Sequence, residues 1–231
     1  ANVVDSLYSV KKAVFEDKTF AMADLARWLS EDWQDAEDRR SYFLNRVPKY
    51  GNDHDEVDAL GVRVMDHYCD VLSNYRNFRG GSFWPGVFSV GFHITMGAFT
   101  GATPDGRFAG DVLGNGITPT TGNAVSGPTA IMNSVVKLPV IRATNGVNLN
   151  MRFQGKKIRT DHLAALIQTY FRNGGTQVQF NMVDSEVLRD AQRHPEKHRD
   201  LFVRVSGYSA EFVGLSEIAQ DEIISRTEFE I

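Results

Sequence analysis

Two periods of apolar and polar positions divide the chain. Through about the first 75 residues the apolar positions keep helical spacing, with Val4, Leu7, Val14 and Phe15 on one stripe. A second stripe, Val57, Leu60, Val64, Tyr68 and Leu72, follows "GNDHDE", where Asp53 or Asp55 is placed to cap a helix. Beyond residue 80 the period shortens to two. In "GGSFWPGVFSVGFHITMG", Phe88, Val90, Phe92, Ile94 and Met96 alternate with Ser89, Gly91, His93 and Thr95. That pattern predicts a strand over 86–96 with His93 and Thr95 on the side opposite the apolar row.

Further strands are predicted over 147–153, where Leu149, Met151 and Phe153 alternate, and over 176–183, "TQVQFNMV". Helices separate them. Pro128 opens one through "TAIMNSVVKL", and "RTDHLAALIQTYFRNGG" is another, with Thr160 or Asp161 at its start and Gly174 at its end. Leu163, Leu166, Ile167, Tyr170 and Phe171 form its apolar face. Strands alternating with helices predict an α/β protein with a partly parallel sheet. After Val183 comes a polar helix ending near Pro195, and the chain closes on an amphipathic helix with Leu215, Ile218 and Ile224 inward.

The glycine- and proline-rich stretch 100–128 is a long loop, of a length usually tied to function in a compact domain. Within it "GATPDGRF" is not a phosphate loop, because Arg107 and Phe108 occupy the positions that would need a lysine and a hydroxyl.

Composition narrows the classes. The 231 residues suit one large domain or two small ones, and 42% hydrophobic with 23% charged residues is ordinary globular content. A net charge of -4 leaves no basic footprint for nucleic acid. The only cysteine, Cys69, permits neither an intramolecular disulfide nor a multi-cysteine metal site, and favours a reducing compartment. No apolar run has the length of a membrane span and no signal-peptide pattern opens the chain, so a cytoplasmic location is expected. The chain begins without methionine inside a helical pattern, which suggests a piece of a longer polypeptide.

One position resists a purely structural reading. In "LFVRVSGYSAEFVGL" Gly207 interrupts a strand pattern, which marks a bend or a close approach by another part of the chain. The surrounding "RVSGYSAEFVGLSEIAQDEIISRTE" resembles the carboxy-terminal signature of the glycyl radical enzymes. The blocks "VPKYGND", "GATPDGR", "NGITP", "GPTA" and "QVQFNMVDSEVLRDAQRHPEKHRDLFVRVSGYSA" extend the resemblance over nearly the whole chain.

The resemblance implies the carboxy-terminal part of an α/β barrel of roughly ten strands: a helical segment at 1–80, a barrel portion at 81–183 and a glycine radical domain at 184–231. It implies that Gly207 stores a backbone radical, with Arg204, Val205, Ser206 and Tyr208 shaping the loop. Glycine suits that role because an α-carbon radical is delocalised between amide nitrogen and carbonyl only when nearly planar, and a side chain would crowd the plane. The resemblance also implies that the radical is installed by an S-adenosylmethionine and iron-sulfur activase, so no bound cofactor or metal is expected.

In the family the radical passes to a cysteine on a loop inside the barrel. Cys69 lacks that setting, since Asp70 and Val71 follow it where dehydratase and lyase members place a glutamate two residues on. The thiyl cysteine is therefore expected outside this chain, on a missing amino-terminal portion or a companion chain, and this chain alone should be catalytically silent. Cys69 itself reads as a packed small hydrophobe. Trp84, Phe88 and His93 are candidate pocket residues, although His93 reads more readily as a satisfied structural histidine. The ending points towards a carbon-heteroatom lyase or dehydratase acting on a small 1,2-substituted molecule such as a diol, choline or isethionate. An arylacetate decarboxylase, a succinate-adding enzyme and a non-catalytic spare-part radical subunit are the alternatives. A homodimer is expected for the full enzyme, and a bacterial microcompartment is an alternative location.

Overall fold

The computed structural model describes residues 1–155, 158–226 and 228–229. Helix α1 (Asn2–Val10) runs into a π-helical turn over Lys11–Glu16 and is followed by α2 (Met22–Ser30), α3 (Glu37–Asn45) and α4 (Asp55–Ser73). Val4, Val57, Met65 and Cys69 turn inward, while Leu7 and Phe15 of the expected stripe stay exposed. Neither expected aspartate caps α4, whose N-cap residue is His54. Asp53 instead takes a left-handed φ of +57° and joins Asp55 and Asp58 around Lys137.

The predicted strand over 86–96 is corrected. Only Val87 pairs, in an isolated parallel bridge to Val147. Val90 and Gly91 then adopt φ of +47° and +92°, turning the chain into the short helix α5 (Phe92–Ala98). The burial is inverted too: Phe88, Val90, Phe92 and Met96 are exposed in this chain, whereas His93 is 3% exposed. Alternation over so few residues does not separate a strand from a turn followed by a helix.

Residues 99–127 form the expected long loop. Its order comes from Arg107, whose buried guanidinium donates to the carbonyls of Thr100, Gly101 and Phe108 and so gathers the loop around one charge. Helix α6 (Pro128–Lys137) then leads to β1 (Asn150–Phe153), α7 (Thr160–Arg172) and β2 (Gln179–Asn181). Strands β1 and β2 are parallel, with Asn150 opposite Gln179 and Arg152 opposite Asn181, and β5 (Glu228–Phe229) pairs parallel on the other side of β1.

Alternation along these strands sends Leu149, Met151, Phe153, Val178 and Phe180 into the main core. The other face carries Asn148, Asn150 and Arg152 beside Gln177, Gln179 and Asn181. Every residue of β1 is buried, so this polar face is covered. Its cover is the last part of the chain: α8 (Ser185–Arg193), the hairpin β3 (Phe202–Arg204) and β4 (Ser209–Glu211), and α9 (Glu217–Ser225). These elements enclose a second, smaller core of Leu188, Ala191, Val203, Val205, Phe212 and Ile223. In α9 it is Ile223 that is buried, while Ile218, expected inward, is 62% exposed. Among the described residues no helix is long and apolar enough to cross a membrane.

Candidate functional site

Gly207 lies at the tip of the hairpin. Arg204 faces Ser209 in the antiparallel ladder, and the Val205 N–H donates to the Tyr208 carbonyl at 2.9 Å, leaving Ser206 and Gly207 to make the turn. Gly207 has φ of +83°, a conformation that L side chains rarely adopt, and a methyl group built there would meet Asn148 Nδ2 at 3.2 Å.

The polar face of the barrel strands receives this turn atom by atom. Asn181 pairs with the backbone of Arg204 in both directions, donating to its carbonyl at 2.7 Å and accepting from its N–H at 2.8 Å, as a neighbouring strand would. Gln179 Oε1 accepts from the Gly207 N–H at 3.2 Å and from the Arg204 guanidinium at 3.0 Å.

A second set of polar groups supports the turn from below. Ser206 and Ser89 hydroxyls both donate to Asn115 Oδ1, at 2.7 and 2.8 Å, and Asn115 Nδ2 donates to the Val205 carbonyl at 3.3 Å. His93 Nδ1 is 3.0 Å from Ser89 Oγ, and its Nε2 stands 3.5 Å from Glu222 Oε1. Glu222 accepts two bonds from Arg226, at 3.0 and 2.7 Å, and Arg226 donates onward to the carbonyls of Arg204 and Val205 at 3.0 and 2.7 Å. The support thus forms a ring from the turn through Asn115, Ser89, His93, Glu222 and Arg226 back to the turn, in which the His93–Glu222 link is a 3.5 Å approach without a hydrogen bond. Burial alone would raise the Glu222 carboxyl, but His93 and Arg226 more than offset it and hold the group below the usual carboxylate range. Arg152, 1% exposed, fastens α9 to the sheet by donating to the carbonyls of Ile223, Ile224 and Val183 and to Ser185 Oγ.

Ser89, His93 and Glu222 have the residue types of a hydrolytic triad. The Ser89 hydroxyl, however, gives its single proton to Asn115 Oδ1 and not to His93, so the histidine is not placed to activate it as a nucleophile. Among the described residues no cluster of three His, Cys, Asp or Glu could hold a metal ion. What this arrangement presents is a stretch of backbone, held by side-chain amides, hydroxyls and one arginine.

A cleft of about 340 Å³ opens beside the turn, lined by Phe88, Val90, Asn148, Gln177, Gly207 and Tyr208 among others. Of the residues singled out in the sequence, Arg204, Val205, Ser206, Gly207 and Tyr208 therefore fall in one turn, and Phe88 borders its cleft. His93 lies beneath it, buried in the ring, and Trp84, 69% exposed, does not line the cleft. Cys69 belongs to the main core, where burial pushes its thiol up, and it lines no part of the cleft. Sequence reading missed Gln179, Asn181, Asn148, Asn115, Glu222 and Arg226. A usable signal existed: "NLNMR" and "QVQFN" place polar residues at every second position of two parallel strands, where buried strands are normally apolar throughout.

The glycine radical family matches residues 113–213, and the pyruvate formate lyase-like family matches residues 1–97. The chain belongs to the glycyl radical enzymes, and its α/β fold is that of their barrel. A probable dehydratase of Escherichia coli, YbiW, is 42% identical over 99% of this chain and 30% of its own length. The trans-4-hydroxy-L-proline dehydratase of Clostridioides difficile is 37% identical over 98% of this chain and 29% of its own length. The glycerol-bound B12-independent glycerol dehydratase of Clostridium butyricum superposes with a TM-score of 0.97 at 42% identity, covering 100% of this chain and 30% of that one. The chain thus spans about 30% of the length of the relatives it matches.

Proposed function

We propose that Gly207 is the radical-storing residue of an enzyme that eliminates water or another small group from a small 1,2-substituted molecule. The observation that carries this reading is the turn itself: a left-handed glycine whose amide is held by a barrel side chain, at the edge of a cleft, within the segment matched by the glycine radical family. In this reading an S-adenosylmethionine activase removes one hydrogen atom from the Gly207 α-carbon. Residues 184–231 act as the radical domain, a division supported by the separate small core. Dehydration is favoured because YbiW, the hydroxyproline enzyme and the glycerol enzyme are all dehydratases by name.

The thiyl cysteine is supplied by the portion of the relatives' length that this chain does not span. Phe88 faces the substrate side of the pocket from the wall of the cleft, His93 supports it from beneath, and no substrate contact is proposed for Trp84. Activation of the assembled enzyme under anaerobic conditions is expected to give a doublet organic radical by electron paramagnetic resonance. Gly207→Ala should abolish it, because the left-handed backbone costs an L residue roughly 1–2 kcal/mol and the methyl group crowds the planar centre. An undiminished signal in that variant would rule out Gly207.

A further inference from the structure

The polar contacts around the turn are not equivalent. Asn181, Arg226 and Asn115 engage Arg204 and Val205, and Asn148 reaches Ser206. Among the described residues, Gln179 is the side chain that hydrogen-bonds an atom of Gly207 itself. Its oxygen is also unusually well fixed. Gln179 sits in β2 opposite Asn150 of β1, its amide nitrogen donates to Asn150 Oδ1, and the Arg204 guanidinium donates to the same oxygen that takes the Gly207 N–H. The residue is 7% exposed, so water does not compete freely for that oxygen.

We propose that Gln179 is a positioning residue for the radical centre: by accepting the Gly207 N–H it sets the plane of the peptide between residues 206 and 207. This rests on the reading that Gly207 carries the radical. A peptide unit rotates as a rigid plane, so holding its N–H direction holds the torsion about the bond between nitrogen and α-carbon. That torsion decides how far the nitrogen lone pair overlaps a half-filled orbital on the α-carbon. Gln179 therefore governs how much unpaired spin reaches the Gly207 nitrogen and its proton, while Asn181 and Arg226 hold the hairpin that brings the amide into reach.

Two measurements on the assembled enzyme test this with Gln179→Met, which keeps the length of the side chain and removes the acceptor, and Gln179→Glu, which keeps an acceptor. After activation, electron-nuclear double resonance in light and heavy water reads the coupling of the exchangeable Gly207 amide proton. In Gln179→Met that coupling is expected to shift and broaden into a distribution, and in Gln179→Glu to return to a single narrow value. Before activation, hydrogen exchange at the Gly207 amide should accelerate in Gln179→Met and slow again in Gln179→Glu, a readout available even if the methionine variant accumulates no radical. A wild-type coupling in Gln179→Met, or an unchanged exchange rate there, overturns the inference alone. A wild-type enzyme with no glycyl signal overturns the radical assignment and this inference together.

Discussion

The large core and the small one are both apolar but are held in place differently. In the large core Tyr8, Trp33, Phe43, Val57, Leu149 and Phe153 are almost completely buried, and the parallel ladder between β1 and β2 runs through it. The small core of Leu188, Ala191, Val203, Val205, Phe212 and Ile223 meets the large one across polar groups: Asn181, Gln179 and Arg152 on one side, backbone atoms of the hairpin and of α9 on the other. Apolar packing tolerates small shifts because it has no direction, whereas hydrogen bonds fail steeply with angle. A turn that must be presented in one orientation is better held by the second kind of contact, although each bond contributes only about 1 kcal/mol net.

Removing the anchor of the small core should cost most. Arg152→Ala strips the donors from the Ile223, Ile224 and Val183 carbonyls and leaves them buried, for an expected loss of about 3 kcal/mol in a urea denaturation series. Wild-type stability in that variant would mean that apolar contact alone joins the two cores. A smaller, local effect is expected from Arg226→Lys, which keeps a charge beside Glu222 but cannot fork to two carbonyls. Amide exchange at Val205 to Tyr208 should accelerate by the equivalent of about 1–2 kcal/mol while amides of the large core keep their rates. Acceleration spread evenly through both cores would erase the distinction drawn between them.

In the large core Cys69→Ala probes packing without hydrogen bonding. A loss on the order of 1 kcal/mol is expected, with turnover of the assembled, activated enzyme retained. A variant that keeps its fold and its glycyl signal but cannot turn over would make Cys69 the relay. The smallest effect is confined to acid. Because the native Glu222 carboxyl is depressed, its contribution is fully present above an unfolded value of about pH 4.3 and is lost as pH falls through the lower native value. Thermal midpoints recorded from well above to well below that unfolded value should fall less steeply for Glu222→Gln than for the wild type. Parallel curves would remove Glu222 from the ring around the turn.

Local pattern carried much of the fold. The stripe from Val57 to Leu72 became α4, the face from Leu163 to Tyr170 became α7, and Leu149, Met151 and Phe153 became the inward side of β1 and its approach. The period-two row from Phe88 to Met96 failed, because whether a row is inside or outside depends on what covers it, and here His93 is taken inward by Ser89 and Glu222. Ile218 and Leu7, each placed inward by its helical spacing, are exposed for the same reason.

The amino-acid order alone made legible most of the helices, the period-two runs that became β1 and β2, and a glycine in a position that only a turn or a special chemistry would ask for, since those depend on residues within a few positions of one another. Tertiary structure decided which atoms meet that glycine. Gln179 is 28 positions from Gly207 and Asn115 is 91 from Ser206, and both contacts require the last part of the chain to fold back over the polar side of β1 and β2. Sequence periodicity could report that such a polar side existed; its partner is a matter of three-dimensional closure, because a hydrogen bond is specified by direction and distance rather than by spacing along the chain.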